Sequence, residues 1–308
     1  MNPAYDITYT VDAVTLGSVH RVSKVAVRAG GKGVNVARVL GQLGRESVAL
    51  GLADAAFTRD LTDSGISADF VMALSHVRRT VVITEPDTRT TSLWEPGPRL
   101  AVDDAGIQLR QRVRARLPQA RGLVVAGSLP PGIDPALPAE LAEIAIAAGI
   151  PVICDVDDDA LRAAASVAGT VLMPNRDELS RLIGTPVADT ATAVADAAKS
   201  LVAAGPRAVV ATRGERGLVA VDADGAWAAA LPQPVRGNPT GAGDAATAAV
   251  IAALADHQDR IDWATVLADV VAASAAAVTV ATAGGIDAAA RDALRPLVTV
   301  TPVEPSCP

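Results

Sequence analysis

The chain has 308 residues, of which half are apolar and a fifth charged, with a formal net charge of −7. That length allows about two domains, or one large α/β unit with an appendage. Only 2% of residues are aromatic, which points to a core of Ala, Val, Leu and Ile and argues against platforms that stack bases on rings. The acidic balance argues against a nucleic-acid binder, while leaving room for a small anionic substrate held by a few local cations.

Mean hydropathy is positive. Yet the longest uncharged run, 270–286, is mostly Ala, Ser, Thr and Val and ends in Gly284-Gly285. A spanning helix needs ~20 strongly apolar residues, so no membrane segment is expected. The amino end carries Asp6 and Asp12 and lacks a charged-then-apolar signal pattern. Cys154 and Cys307 form no framework, and His20, His76 and His257 have no zinc or triad spacing. The cytoplasm is the expected compartment.

In chain order, residues 21–27 alternate as a strand, 34–43 read as a helix and 47–52 as a strand. Residues 71–74, 80–84 and 90–94 are short, β-branched and separated by turn residues, which predicts antiparallel strands. From Asp103 the pattern changes. Helix-like 103–117, 135–148 and 191–204 alternate with the apolar runs 122–126, 151–154, 171–172 and 208–211. Strands alternating with helices predict a mostly parallel sheet covered on both faces. Residues 218–221 and 226–231 predict a hairpin near one edge, and the chain from Asp244 onward reads as helical. With no repeat or linker, the early strands are expected to form a small sheet attached to one α/β domain.

Four segments carry candidate chemistry. The first is Asn238-Pro239-Thr240-Gly241-Ala242-Gly243-Asp244, which opens a helix over 245–254. Free amides at a helix start make an anion pocket. Beside a phosphoryl group, Asp244 can accept a proton from an attacking hydroxyl. A dinucleotide fingerprint is the rival reading, but a loop rather than a buried strand precedes this one. The second segment runs from Ala29 to Leu40 and holds Gly30, Gly31, Lys32, Gly33 and Asn35. It is no Walker loop, since Gly33 follows Lys32. Asn35 can meet sugar hydroxyls and Lys32 a negative group. The third places Ser128 in Gly127-Ser128-Leu129-Pro130-Pro131-Gly132, just past a strand end where open α/β sheets bind ligands. In the fourth, Asn175 and Glu178 lie one helical turn apart. They fit a capping box, a cation held through water, or both.

These co-linear segments, with Asn2-Pro3-Ala4-Tyr5-Asp6 and Trp94-Glu95-Pro96-Gly97-Pro98, resemble the phosphofructokinase B-type branch of the ribokinase superfamily over nearly the whole chain. They are similar to its hexose-phosphate kinases, the 1-phosphofructokinases and tagatose-6-phosphate kinases. The resemblance implies an ATP- and Mg2+-dependent kinase of a ketohexose monophosphate. It implies a three-layer α/β/α domain spanning 1–308 with a β-sheet lid from about 7–28 and 71–95, often a homodimer interface. Asp244 would be the base, and the amides of Gly241, Ala242 and Gly243 would stabilise the transferring phosphoryl group. Asp6, Gly31, Asn35 and Ser128 would hold sugar hydroxyls. Arg78 would face the sugar's existing phosphate, helped by Lys32 or Arg21. Asn175 and Glu178 would hold Mg–ATP, Glu178 and Asn175 reaching the metal indirectly, through water or phosphate. Thr212, Gly214 and Gly217 would turn against the nucleotide.

Three positions and one segment depart from the family pattern: Met173 stands for lysine, Pro239 for Ser or Thr, and Arg213 for an apolar residue, while loop 51–57 is shortened. They bear on substrate choice. A kinase of an unphosphorylated sugar or nucleoside, and a sugar-phosphate sensor without turnover, are the alternatives.

Overall fold

The computed structural model describes residues 1–86, 89–257 and 261–304. Strands β1 (Ala4–Thr10) and β2 (Lys24–Gly30) lead into helix α1 (Lys32–Gln42). Then follow β3 (Ala49–Ala53), α2 (Ala55–Asp63), β4 (Ala68–Met72), β5 (Arg78–Thr84) and β6 (Thr90–Trp94). The remainder runs α3 (Ala105–Arg116), β7 (Leu123–Ala126), α4 (Leu137–Ala147), β8 (Val152–Asp155), α5 (Asp158–Ala165), β9 (Val171–Leu172), α6 (Arg176–Ile183) and α7 (Ala191–Val202). It continues through β10 (Ala208–Thr212), β11 (Leu218–Asp222), β12 (Ala226–Ala230), α8 (Ala242–Asp256), α9 (Trp263–Val278), α10 (Ala288–Leu294) and β13 (Thr299–Pro302).

The seven-stranded sheet has the order β13-β12-β11-β10-β9-β8-β7, parallel from β7 to β10 and antiparallel beyond. Successive strand residues point to opposite faces, and here both faces are buried. Cys154, Val209, Ala211 and Val219 enter one core, with α4 and α7. Ile153, Ala208, Val210 and Ala220 enter the other, with α8 and α9. This is the expected α/β architecture, helices on both sides of one large sheet. Apolar residues on both faces explain why these strands read as continuous apolar runs rather than alternating ones. No described helix is long and apolar enough to cross a membrane.

The small sheet has the order β2-β1-β5-β6. Its registers put Arg28, Asp6, Thr80 and Trp94 in one row, and Val27, Ile7, Val81 and Leu93 in the next. The two rows face opposite ways, and the Asp6 row faces α1. Two expectations change here. Residues 71–74 do not join this sheet, because Val71 and Met72 lie in β4, paired parallel with β3. Nor is the sheet wholly antiparallel, since β1 pairs parallel with β5. Alternation identifies a strand, but its partner depends on contacts distant in sequence. β13, in the stretch expected to be helical, closes the far edge of the large sheet.

Candidate active site

The site forms where the small sheet meets the starts of α1 and α8. Gly31 caps α1 at φ +91°, and a Cβ there would lie 3.0 Å from the backbone of Pro3 and Ala4. Only glycine takes that turn at little cost. The turn places Asn35 between two carboxylates. Its Nδ2 donates to Asp244 Oδ2 at 2.9 Å and to Asp6 Oδ2 at 3.4 Å. Asp6 also accepts from Thr80 Oγ1 at 2.6 Å and from the Gly31 amide at 3.4 Å. The Oδ1 of Asn35 is buried without a donor.

Gly241, at φ +89°, caps α8 and turns the chain so that Asp244 falls in the first turn, buried. A helix's first amides have no carbonyl partner inside the helix. Gly243 and Asp244 keep that character. The Ala242 amide instead donates to Pro239 O at 3.2 Å, so it is committed within the turn. Burial, then the nearby charge of Asp155, pushes the Asp244 carboxyl up to about 7; the Asn35 hydrogen bond and Lys32 pull the other way. A base poised near neutrality suits proton transfer.

Asp155 and Asp157 are residues that no sequence motif singles out. Lys32 donates to Asp155 Oδ1 at 2.8 Å and to Asp157 Oδ1 at 3.2 Å. Burial works against the Lys32 charge, but the two aspartates outweigh it and hold its pKa above the ordinary lysine value. Lys32 does meet negative groups, but those it meets here are this acidic pair, which leaves one N–H of its ammonium for a substrate anion. Asp155 Oδ2 accepts from Thr247 Oγ1 at 3.3 Å, one turn after Asp244 on α8. The available signal was the position of Asp155 at the carboxyl end of a buried strand, where such sheets bind ligands.

Arg78, half-buried at the start of β5, donates through Nε to Asn2 O at 3.3 Å and through Nη1 to Glu95 O at 2.9 Å. Burial lowers its pKa, against the opposing charges of Asp6, Asp157 and Glu95. A guanidinium has five donors, so three N–H groups remain. Ser128 Oγ accepts from Asn2 Nδ2 at 3.3 Å, which ties the third segment to the same corner. Arg21 is not brought there. It is exposed before Lys24, at the end of β2 opposite Gly30, and the intervening strand is about 20 Å long.

A second edge of the site holds Asn175 and Glu178. Both capping-box bonds are present: Asn175 Oδ1 accepts from the Glu178 amide at 2.9 Å, and Glu178 Oε2 accepts from the Asn175 amide at 2.8 Å. Burial raises the Glu178 pKa, with Lys32 pulling it down. Asn175 bridges to Thr212, and the Gly214–Arg216 turn closes through Arg213 N to Gly217 O at 2.8 Å. Thr212 therefore adjoins Asn175, and Gly214 and Gly217 lie in the turn that follows it. Arg213 is pinned by Asp189, to the carboxylate at 3.1 Å and the carbonyl at 3.0 Å. Met173 is buried in the apolar core. Among the described residues, no three carboxylate, histidine or cysteine side chains converge to hold a metal. Glu178, with one oxygen committed, fits a cation that arrives on a phosphate chain and keeps its own waters.

The site thus brings together a strand-bound aspartate, an aspartate at a helix start and a half-buried arginine. The chain belongs to the pfkB family of carbohydrate kinases, whose model matches residues 1–289. It is a phosphotransferase acting on an alcohol group, and kinases of this family use ATP. Phosphofructokinase-2 from Escherichia coli, solved in complex with fructose-6-phosphate, is 25% identical over 96% of both chains, with a TM-score of 0.82. A "possible 1-phosphofructokinase" from Thermotoga maritima covers 99% of this chain and 98% of its own at 21% identity and a TM-score of 0.87. Ribokinase from Arabidopsis thaliana, solved with ribose and ATP, shares the fold at 21% identity over 96% of both chains and a TM-score of 0.67.

Proposed function

We propose that the protein transfers the γ-phosphoryl group of ATP to a hydroxyl of a ketohexose monophosphate such as fructose 1-phosphate, fructose 6-phosphate or tagatose 6-phosphate. The observation that carries this is Asp244, buried in the first turn of α8 with its carboxyl at about 7 and Asn35 linking it to Asp6. Asp6 and Asn35 hold the sugar hydroxyls. Asp244 takes the proton of the attacking hydroxyl. The Gly243 and Asp244 amides, with the start of the α8 dipole, face the charge of the moving phosphoryl group. Arg78 holds the sugar's existing phosphate with its remaining N–H groups. Asn175, Glu178 and the Thr212–Gly217 turn hold ATP with Mg2+, which supplies charge neutralisation on the phosphates. Phosphofructokinase-2 from E. coli was solved with fructose-6-phosphate bound, which supports this substrate class.

Coupled ADP release on the three ketohexose monophosphates tests the reading. Turnover of at least one is expected. Turnover only of unphosphorylated sugars or nucleosides overturns the substrate class, and tight sugar-phosphate binding with no ADP overturns the activity.

We further propose a homodimer through the outer face of the small sheet. Val27 is 60% exposed and Leu93 59%, in one row with Ile7 and Val81. An apolar sheet face of this kind favours a self-complementary partner. Phosphofructokinase-2 from E. coli has been solved as a tetramer in an inhibited form. Light scattering checks this, and a concentration-independent monomer overturns it.

A further inference from the structure

Two strand edges inside the fold have no neighbour. Among the described residues β3 pairs only with β4, and β7 only with β8. A cavity of about 1210 Å³ lies between them, lined by Ala49 and Leu50 of β3 and by Val124 and Val125 of β7. Helix α1 packs on both strands and closes one face with Leu40; α3 and α4 cover the other, where Val113 reaches the cavity. Both helix layers are therefore continuous across a place where the sheet layer is missing.

The dimensions match one strand. A strand rises about 3.3 Å per residue, strands lie about 4.8 Å apart and layers about 10 Å apart, so roughly seven to eight residues occupy about 1100–1250 Å³. Backbone groups along two edges beneath covering helices need hydrogen-bond partners, and leaving them unpaired is costly. One end of the gap already shows how pairing begins. The Met1 amine lines the cavity and donates to Ala126 O, on the last residue of β7, at 2.8 Å. A chain leading into Met1 from behind would run alongside β7 in the same direction.

We propose that this slot takes one β-strand joined to the chain ahead of Met1, inserted parallel to β7 and pairing with both β7 and β3. It fuses the two-stranded and seven-stranded sheets into one. Because helices cover both faces, the strand is apolar or β-branched throughout and carries no charge or proline.

The test extends the full chain at its amino end by eight alternating Val and Thr residues. An eight-residue Gly-Ser extension serves as the control, and the Val-Thr peptide is also added in trans. The Val-Thr extension is expected to raise Tm by roughly 5 °C or more. It is also expected to protect the amides of β3 and β7 from hydrogen exchange, with neither effect from Gly-Ser. Equal Tm and exchange for the two extensions overturns the proposal, as does protection by the peptide in trans but not by the tethered strand. Intact mass of the protein isolated from the cells that make it is a second measurement. At least seven residues ahead of Met1 are expected there, and an amino terminus at Met1 overturns the tethered source. Neither measurement depends on kinase activity.

Discussion

The two sheets of this protein solve different problems with similar residues. In the large sheet, Val209 and Val210 point to opposite faces and both are fully buried, because helices lie on either side. In the small sheet, Asp6 and Ile7 also point oppositely, but one face carries the polar groups of the site and the other is a bare apolar surface. The first arrangement makes a rigid floor whose strand ends present Asp155 and Thr212. The second makes a cover with one polar face turned to α1 and one apolar face left exposed. The candidate chemistry sits at their junction, where residues from β1, α1, β5, β8 and α8 converge.

The sharpest way to break this contrast is to put the same charge into each sheet. Val210→Lys buries an ammonium among apolar side chains with no counter-charge, and loss of the folded chain by circular dichroism is the expected result. Val27→Lys on the outer face of the small sheet is expected to leave the fold intact and convert dimer to monomer in light scattering. Equal damage from both would mean that the two sheets are not different in kind.

Within the site, Asp244→Asn is expected to lower kcat by roughly 10²–10⁴-fold with the fold retained, measured by ADP release. A loss under tenfold would remove Asp244 as the base. Arg78→Ala is expected to weaken the phosphorylated sugar by about 2–3 kcal/mol, roughly 30- to 150-fold in KM, with little change in kcat. It should leave binding of an unphosphorylated sugar unaffected. An equal loss for both sugars would make Arg78 a structural tie to Asn2 and Glu95 only.

The smallest effect concerns pH. With its carboxyl raised to about 7, Asp244 is protonated below neutrality, so kcat/KM rises as pH passes upward through about 7. Asp155→Asn removes a charge that raises Asp244 and frees Lys32, which lowers it, so the rise moves to lower pH. An unmoved profile would separate Asp155 from the base. The stability sign is the reverse of that for a salt-bridged carboxylate. A raised folded pKa stabilises the fold at low pH, and this contribution is lost as pH climbs through about 7. Tm of the parent relative to Asp244→Asn should therefore fall between roughly pH 4 and 8.

Much of the site was legible because the chemistry is encoded in local turns. Gly241 before Asp244, and Gly31 before Asn35, announce helix starts whose geometry follows from a few neighbouring residues. Asn175 and Glu178 likewise form the capping box that their spacing predicts. Lys32 was not legible in this way, because an ammonium's partner depends on what the fold brings near it. Asp155 and Asp157 are more than a hundred residues away, on another strand and the loop beyond it. Arg21 precedes the glycine segment in the chain, but an extended strand carries it away from Gly30. Short helices such as α2 and α5 leave little trace in the sequence, as their few turns give too brief a period to distinguish from loops.

By itself, then, the amino-acid sequence determined the longer helices, the buried strands of the large sheet, the α/β class and the glycine turn ahead of Asp244, because these depend on periodicity and on residues adjacent in the chain. Only the tertiary structure decided which strands pair, that Lys32 is held by Asp155 and Asp157, and how far burial raises Asp244. Pairing and desolvation arise from contacts between distant segments, and no local pattern specifies them.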